Sequence, residues 1–209
     1  KIGLLVKLRE LHLNQNQLQA LPVALYGLVG LTCLGLGENR LNEIPADIGR
    51  LVNLQELYLQ KNQLESLPDT LWDLCELTVL YLWDNQLNKL PEKIGLLVKL
   101  RELHLNQNQL ESLPDTLWDL QELTELYLGE NQLNEIPEAI DQLTKLQELY
   151  LNQNQLKSLP DALWKLQELT ELYLGANQLI EIPEAIGQLG KLQKLVLSQN
   201  KLESLPDAL

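Results

Sequence analysis

Residues 123–146 read LTELYLGENQLNEIPEAIDQLTKL, and almost every other part of the chain is a variation on them. Their skeleton is L-x-x-L-x-L-x-x-N-x-L-x-x-I/L-P-x-x-I/L-x-x-L, and it recurs every 23 residues. The asparagine falls at Asn16, Asn39, Asn62, Asn85, Asn108, Asn131, Asn154, Asn177 and Asn200. The proline keeps the same step from Pro22 to Pro206 and accounts for all nine prolines, so none is left to mark a linker. A fixed period of 20–29 residues with this leucine spacing is the mark of a solenoid of stacked supersecondary units.

Each repeat opens with alternation. Leu126 and Leu128 flank Tyr127, and period two puts the leucines on one face of a short strand and the intervening residues on the other. The next strand begins 23 residues later with the same polarity. Neighbouring strands are therefore parallel and need a crossover, expected to be right-handed. The asparagine ends the strand, and its amide can satisfy backbone groups in the turn and in the neighbouring coil, making a ladder. The proline holds the residue before it extended. The following I/L-x-x-L-x-x-L has room for one or two helical turns, α or 3₁₀.

The chain resembles leucine-rich repeat proteins of the 23-residue L-P-x-x-L/I-G-x-L type, from Leu8 to Leu209. That type occurs in bacterial and cyanobacterial proteins, plant intracellular Ras-group-related proteins and the repeat regions of Roco GTPases. The resemblance implies an α/β solenoid: a right-handed horseshoe with a parallel concave sheet, short helical turns on the convex side, and a role in binding other proteins. We expect one repeat domain over residues 1–209, of about nine repeats, partial at both ends and without caps.

A second period of 46 residues overlies the first. Tyr26, Trp72, Trp118 and Trp164 alternate with Gly49, Gly95, Asp141 and Gly187 at one crossover position. This reads as a large residue packed over the space left by a small neighbour, with Asp141 expected to end its turn differently. Residues 1–18 are identical to 93–110, which means recent duplication or design; the exceptions Cys33, Arg40, Cys75 and Trp83 favour duplication followed by drift.

Composition narrows the function. The core is Leu and Ile, with no Phe or Met, and the net charge of −13 argues against nucleic acid and anionic membrane as partners. No apolar run is long enough to span a bilayer. Cys33 and Cys75 fall on different faces, so no disulfide is expected. A cytoplasmic location fits best, although a bacterial surface or secreted protein would look much the same.

An enzyme lacks its parts here, and neither cofactor nor metal is expected. His12 and His104 hold equivalent strand positions four repeats apart. That is roughly 19 Å at strand spacing, too far to share a ligand, and they read as two copies of one surface residue. Cys33 beside His12 has no orienting partner for nucleophilic chemistry.

Three outward columns run across the strands. One is mainly Glu, with Cys33, Val79 and Lys194 as exceptions. The second carries Tyr58, Tyr81, Tyr127, Tyr150 and Tyr173, with His12 and His104 in the same column. The third is mostly Asn and Gly but holds Trp83. Repetition does not explain Val79 and Trp83 on one strand. The expected contact centre is therefore Tyr58, Val79, Tyr81 and Trp83, with Glu56 and Asp84 supplying charge, against a basic or amphipathic protein or peptide. Gly35 and Gly37 would leave a hollow for a partner side chain. Two other readings stand beside this one. The first is a self-assembling or oligomerising unit; the second is the sensing arm of a Roco-like GTPase, kinase or ligase.

Overall fold

The computed structural model describes residues 2–209. Nine three-residue strands form one parallel sheet in chain order. They are β1 (Glu10–His12), β2 (Cys33–Gly35), β3 (Glu56–Tyr58), β4 (Val79–Tyr81), β5 (Glu102–His104), β6 (Glu125–Tyr127), β7 (Glu148–Tyr150), β8 (Glu171–Tyr173) and β9 (Lys194–Val196). Every neighbouring pair is offset by 23 residues, so equivalent positions face each other along the whole array. Every crossover turn is 3₁₀; five residues long in each internal coil, it matches the narrower of the two expected geometries.

The leucine pattern becomes the core. Leu123, Leu126, Leu128, Leu133, Ile140, Leu143 and Leu146 are all fully buried. Each five-residue 3₁₀ turn starts after its proline, whose φ lies between −82° and −63°. Proline's ring pre-sets that angle, and its missing N–H costs nothing at a helix start.

Asparagine welds one coil to the next. Asn131 Nδ2 donates to the carbonyls of Leu128 (3.1 Å) and Gly129 (3.2 Å) in its own turn, and to Leu105 (3.0 Å) in the preceding coil. Its Oδ1 accepts from the Leu110 N–H at 3.0 Å. The same four contacts recur at Asn62, Asn85, Asn108, Asn154 and Asn177. The turn has a cost that the repeat pattern conceals. The residue before each asparagine is left-handed, with φ from 52° at Lys61 to 59° at Gln199, and none of these is glycine. Such a conformation costs on the order of 1–2 kcal/mol for an L-residue and persists only where surrounding bonds over-determine it.

The aromatic–small alternation is a packing device, as expected, but of a different kind. Trp72, Trp118 and Trp164 are buried. The glycines serve backbone approach: a Cβ on Gly49 would lie 2.8 Å from the Thr70 carbonyl oxygen, and one on Gly95 2.9 Å from that of Thr116. Asp141 does not alter its turn, which spans Glu138–Gln142 like the others. It stands opposite Ala162 rather than a threonine, and its carboxylate meets Lys165 Nζ at 3.2 Å.

Removing the amide from an internal coil leaves buried backbone groups without partners, each worth about 1–3 kcal/mol. Asn131→Ala should therefore lower stability by roughly 2–4 kcal/mol in urea unfolding. Asn16 bonds only carbonyls of its own turn and is exposed. Asn16→Ala should cost about 1 kcal/mol or less.

Candidate functional site on the sheet face

The outward columns form a ladder of their own. Tyr81 Oη donates to Glu102 on the next strand at 2.6 Å, Tyr150 to Glu171 at 2.8 Å, and Tyr127 to Glu148 in the same way. The rings stack: centroids are 4.0 Å apart for Tyr81–His104, 3.9 Å for His104–Tyr127 and 4.0 Å for Tyr150–Tyr173. Burial first, and then the carboxylate partner, pushes the hydroxyls of Tyr81 and Tyr127 up beyond the ordinary phenol range.

The ladder breaks where Val79 replaces a glutamate. Tyr58 has no carboxylate on the following strand and turns back to Glu56 on its own strand, at 2.9 Å. Its ring meets Tyr81 edge-on at 5.1 Å instead of stacking. Tyr58, Val79 and Tyr81 are half-buried side by side on β3 and β4, half-buried Trp83 follows just after β4, and Glu56 stands opposite Val79. Lys61 Nζ sits 5.1 Å from the centre of the Trp83 ring, so the indole already faces one cation of its own chain. Asp84 is exposed and is the left-handed residue of its turn, φ 55°.

Two expectations on this face need correction. The hollow at Gly35 and Gly37 is filled: a Cβ on Gly35 would lie 2.6 Å from Asn14 Nδ2, and one on Gly37 2.6 Å from the Gln60 amide. Small residues let neighbouring side chains fold over them. The two histidines are not equivalent surface residues either. His12 adjoins Gly35 and its side chain is 55% exposed, whereas that of His104, clamped between Tyr81 and Tyr127, is 11% exposed. Cys33 is buried on the same face, its thiol pushed up to about 12 by burial and by its hydrogen bond with Glu56, which makes it a poor nucleophile. Cys75 is exposed, and both cysteines are free.

Sequence reading missed one group. Glu102, His104 and Glu125 bring one ligand atom each within 4.8 Å of one another, with His104 Nε2 at 3.1 Å from Glu125 Oε2. Two glutamates at one register position and a histidine two residues along β5 are visible in the sequence, whereas around His12 the second glutamate position is Cys33. The flanking tyrosines, which press His104 inward, separate the two further, and that burial is not visible in the local sequence.

Burial lowers His104 to about 4. Burial, then the charges of Glu102 and Glu148, raises Glu125 to about 7. The two act oppositely on stability. Folding forfeits the His104 proton from about pH 4 to 6.5, so that contribution rises with pH. Glu125 keeps a proton in the folded state up to about pH 7 that the unfolded chain has lost, so its contribution falls with pH. His104→Tyr removes the rising leg alone. In urea unfolding in metal-free buffer, the stability difference between wild type and His104→Tyr should shift toward the wild type from about pH 4 to about 6.5 and level off above.

Known proteins place the chain. The family described as "Leucine-rich repeat region" matches residues 24–126 and 69–174. An internalin (inlF) of Listeria monocytogenes is 30% identical with a TM-score of 0.87, over 97% of this chain and 58% of its own. The plant peptide hormone receptor RGFR1, solved in complex with RGF2, is 34% identical with a TM-score of 0.86, over 96% of this chain and 34% of its own. The leucine-rich repeat ectodomain of the Arabidopsis thaliana receptor kinase GASSHO1/SCHENGEN3, in complex with CASPARIAN STRIP INTEGRITY FACTOR 2, is 35% identical with a TM-score of 0.69, over 98% of this chain and 33% of its own. The chain thus spans just over half of the internalin and about a third of each plant receptor. No curated protein matches it in sequence. Among the described residues no helix is long and apolar enough to cross a membrane. The periodic leucines, the asparagine ladder and the parallel sheet agree with the family match, and the chain belongs to the leucine-rich repeat family.

Proposed function

We propose that this chain is a non-enzymatic binding module that holds a basic or amphipathic protein or peptide on the concave face of its sheet. The contact centre is Tyr58, Val79, Tyr81 and Trp83, with Glu56 and Asp84 at its edge. The observation that carries this reading is the break in the Tyr–Glu ladder at Val79. Elsewhere the tyrosine hydroxyls and carboxylates engage one another across strands. At β3 and β4 the pattern gives way to half-exposed apolar and aromatic surface. Tyr and Trp join large apolar area to a polar tip and dominate interface energetics. Strands hold them in fixed places, which reduces the ordering cost of binding. Lys61 over the Trp83 ring supports the choice of a cationic partner group, since the indole face already takes an ammonium at that distance. The complexes of the plant receptors with RGF2 and CASPARIAN STRIP INTEGRITY FACTOR 2 support a binding role for this fold. The exposed thiol of Cys75 favours a reducing compartment, with the cytoplasm as the expected one.

One observation favours self-association as a second reading. Residues 1–18 repeat 93–110, yet Leu5 is 54% exposed and its counterpart Leu97 fully buried. In this reading the exposed apolar side chains of Leu4, Leu5 and Val6 meet another copy of the chain. In the same terms, residues 1–209 act as one repeat domain of about nine repeats, and a larger signalling enzyme could carry it as a sensing arm.

Two variants test the contact centre with residues that other strands already carry. Trp83→Gly copies Gly129 and Gly175, and Val79→Glu copies Glu102 and Glu125. Basic and amphipathic peptides that bind the wild type in a peptide array should lose affinity on Trp83→Gly by roughly tenfold or more. Equal binding by both variants and the wild type would sink the reading. Light scattering over a range of concentrations separates self-association, which Trp83→Gly should leave intact if the apolar end drives it.

A further inference from the structure

We propose that Glu102, His104 and Glu125 form a binding site for a first-row divalent cation of zinc type. The three side chains come from β5 and β6, whose register sets Glu102 directly opposite Glu125. One ligand atom from each lies within 4.8 Å of the others, and no other three His, Cys, Asp or Glu side chains do so among the described residues. Zinc bonds to imidazole nitrogen and carboxylate oxygen run about 2.0–2.2 Å, so ligand atoms around a tetrahedral ion lie roughly 3.3 Å apart. His104 Nε2 and Glu125 Oε2, 3.1 Å apart, already have that spacing. The Glu102 ligand atom lies within 4.8 Å of the other two and completes the third corner once its carboxylate moves in by roughly 1.5 Å at most, leaving the fourth to a water.

Three features of the surroundings suit a ligand set. The stacked rings of Tyr81 and Tyr127, each within 8° of parallel to the imidazole, fix its plane and leave its edge to bind. The His104 side chain is only 11% exposed, so the ring is held in place on the sheet face and does not swing free in solvent. Tyr81 Oη, donating to Glu102 Oε2 at 2.6 Å, orients that carboxylate as outer-shell partners orient metal ligands. Charge points the same way. Glu102, Glu125 and Glu148 stand in one row on adjacent strands, and among the described residues no Lys or Arg pairs with any of them. In the protein alone, His104 and Glu125 share a hydrogen bond at Nε2; a cation takes that place, and the imidazole proton then resides on Nδ1.

The chain supplies its own comparison. Around His12 the same strand sequence places Glu10 beside the ring, but Cys33 stands where Glu125 would, and its thiol is engaged with Glu56. His12 Nε2 is 3.7 Å from Glu10 in an exposed setting, and the three groups do not close. In the strands on either side of β5 the histidine is a tyrosine, which offers no ligand at this spacing.

The test uses the full chain, stripped with EDTA, dialysed and titrated with Zn²⁺ by calorimetry, with Co²⁺ visible absorption reporting the ligand set. One equivalent should bind in the micromolar range. His104→Tyr, which restores the residue of the flanking strands, and Glu125→Gln should each weaken binding by at least about tenfold. Far-UV circular dichroism of the metal-free variants should match the wild type, and each should unfold in a single cooperative thermal transition, separating a lost ligand from a lost fold. His12→Tyr should bind as the wild type does. Absence of Zn²⁺ binding by folded wild type overturns the proposal. So does binding that survives both His104→Tyr and Glu125→Gln, which would mark diffuse attraction by the acidic face. No peptide partner enters this experiment, so its result stands apart from that of the contact-centre test.

Discussion

Each internal asparagine amide is shared between two coils, and the rest of the structure depends on that sharing. Nδ2 reaches a carbonyl 26 residues back while Oδ1 takes an N–H 21 residues back, so one side chain fixes both the turn and its distance from the previous coil. Three-residue strands offer too few ladder bonds to define a register by themselves. The amide adds the missing constraint, and it acts at every 23-residue step. It also makes the left-handed residue beside it tolerable, since bonds from the amide back across it to the two preceding carbonyls hold the turn closed. A buried, fully satisfied polar group of this kind is worth more for uniqueness than for gross stability.

From a fixed register follows a fixed surface. Residues 23 apart must face each other, so any residue type that repeats becomes a column, and adjacent columns become a ladder. The tyrosine–glutamate ladder is such a product, and most of its polar tips are spent on one another. A face that is internally paired has less to offer a partner than its composition suggests. Both proposed sites therefore sit at exceptions: Val79 and Trp83 break the ladder at one place, and His104 inserts an imidazole nitrogen into it at another. Val79 and His104 stand on β4 and β5, neighbours in the sheet, and Trp83 lies two residues beyond the end of β4.

Much of the fold was legible because each leucine, proline and asparagine has one physical task that recurs with the period. Leu126 and Leu128 are buried because alternation leaves them no other face, and Pro137 starts a 3₁₀ turn because its ring allows little else. The left-handed residues were not legible: Gln107, Glu130 and Ala176 lack the glycine that normally announces such a turn. The role of Gly49 and Gly95 was half legible, their smallness being plain but not the carbonyl that approaches them. On the sheet face, the columns were read correctly, while the hollow at Gly35 and Gly37 was not, because long side chains from adjoining strands close over it.

His12 and His104 divide the two kinds of information most sharply. Their local sequences are identical over 18 residues, and the sequence alone determined that both stand on the outer face of a strand in a leucine-rich solenoid. Local sequence specifies backbone path and facing, since these follow from period, proline and asparagine. It does not specify what stacks on either side. Only the assembled sheet sets Tyr81 and Tyr127 against one imidazole and Gly35 beside the other. Burial, protonation and the nearness of Glu125 all come from those neighbours, so they belong to the tertiary structure and not to the repeat.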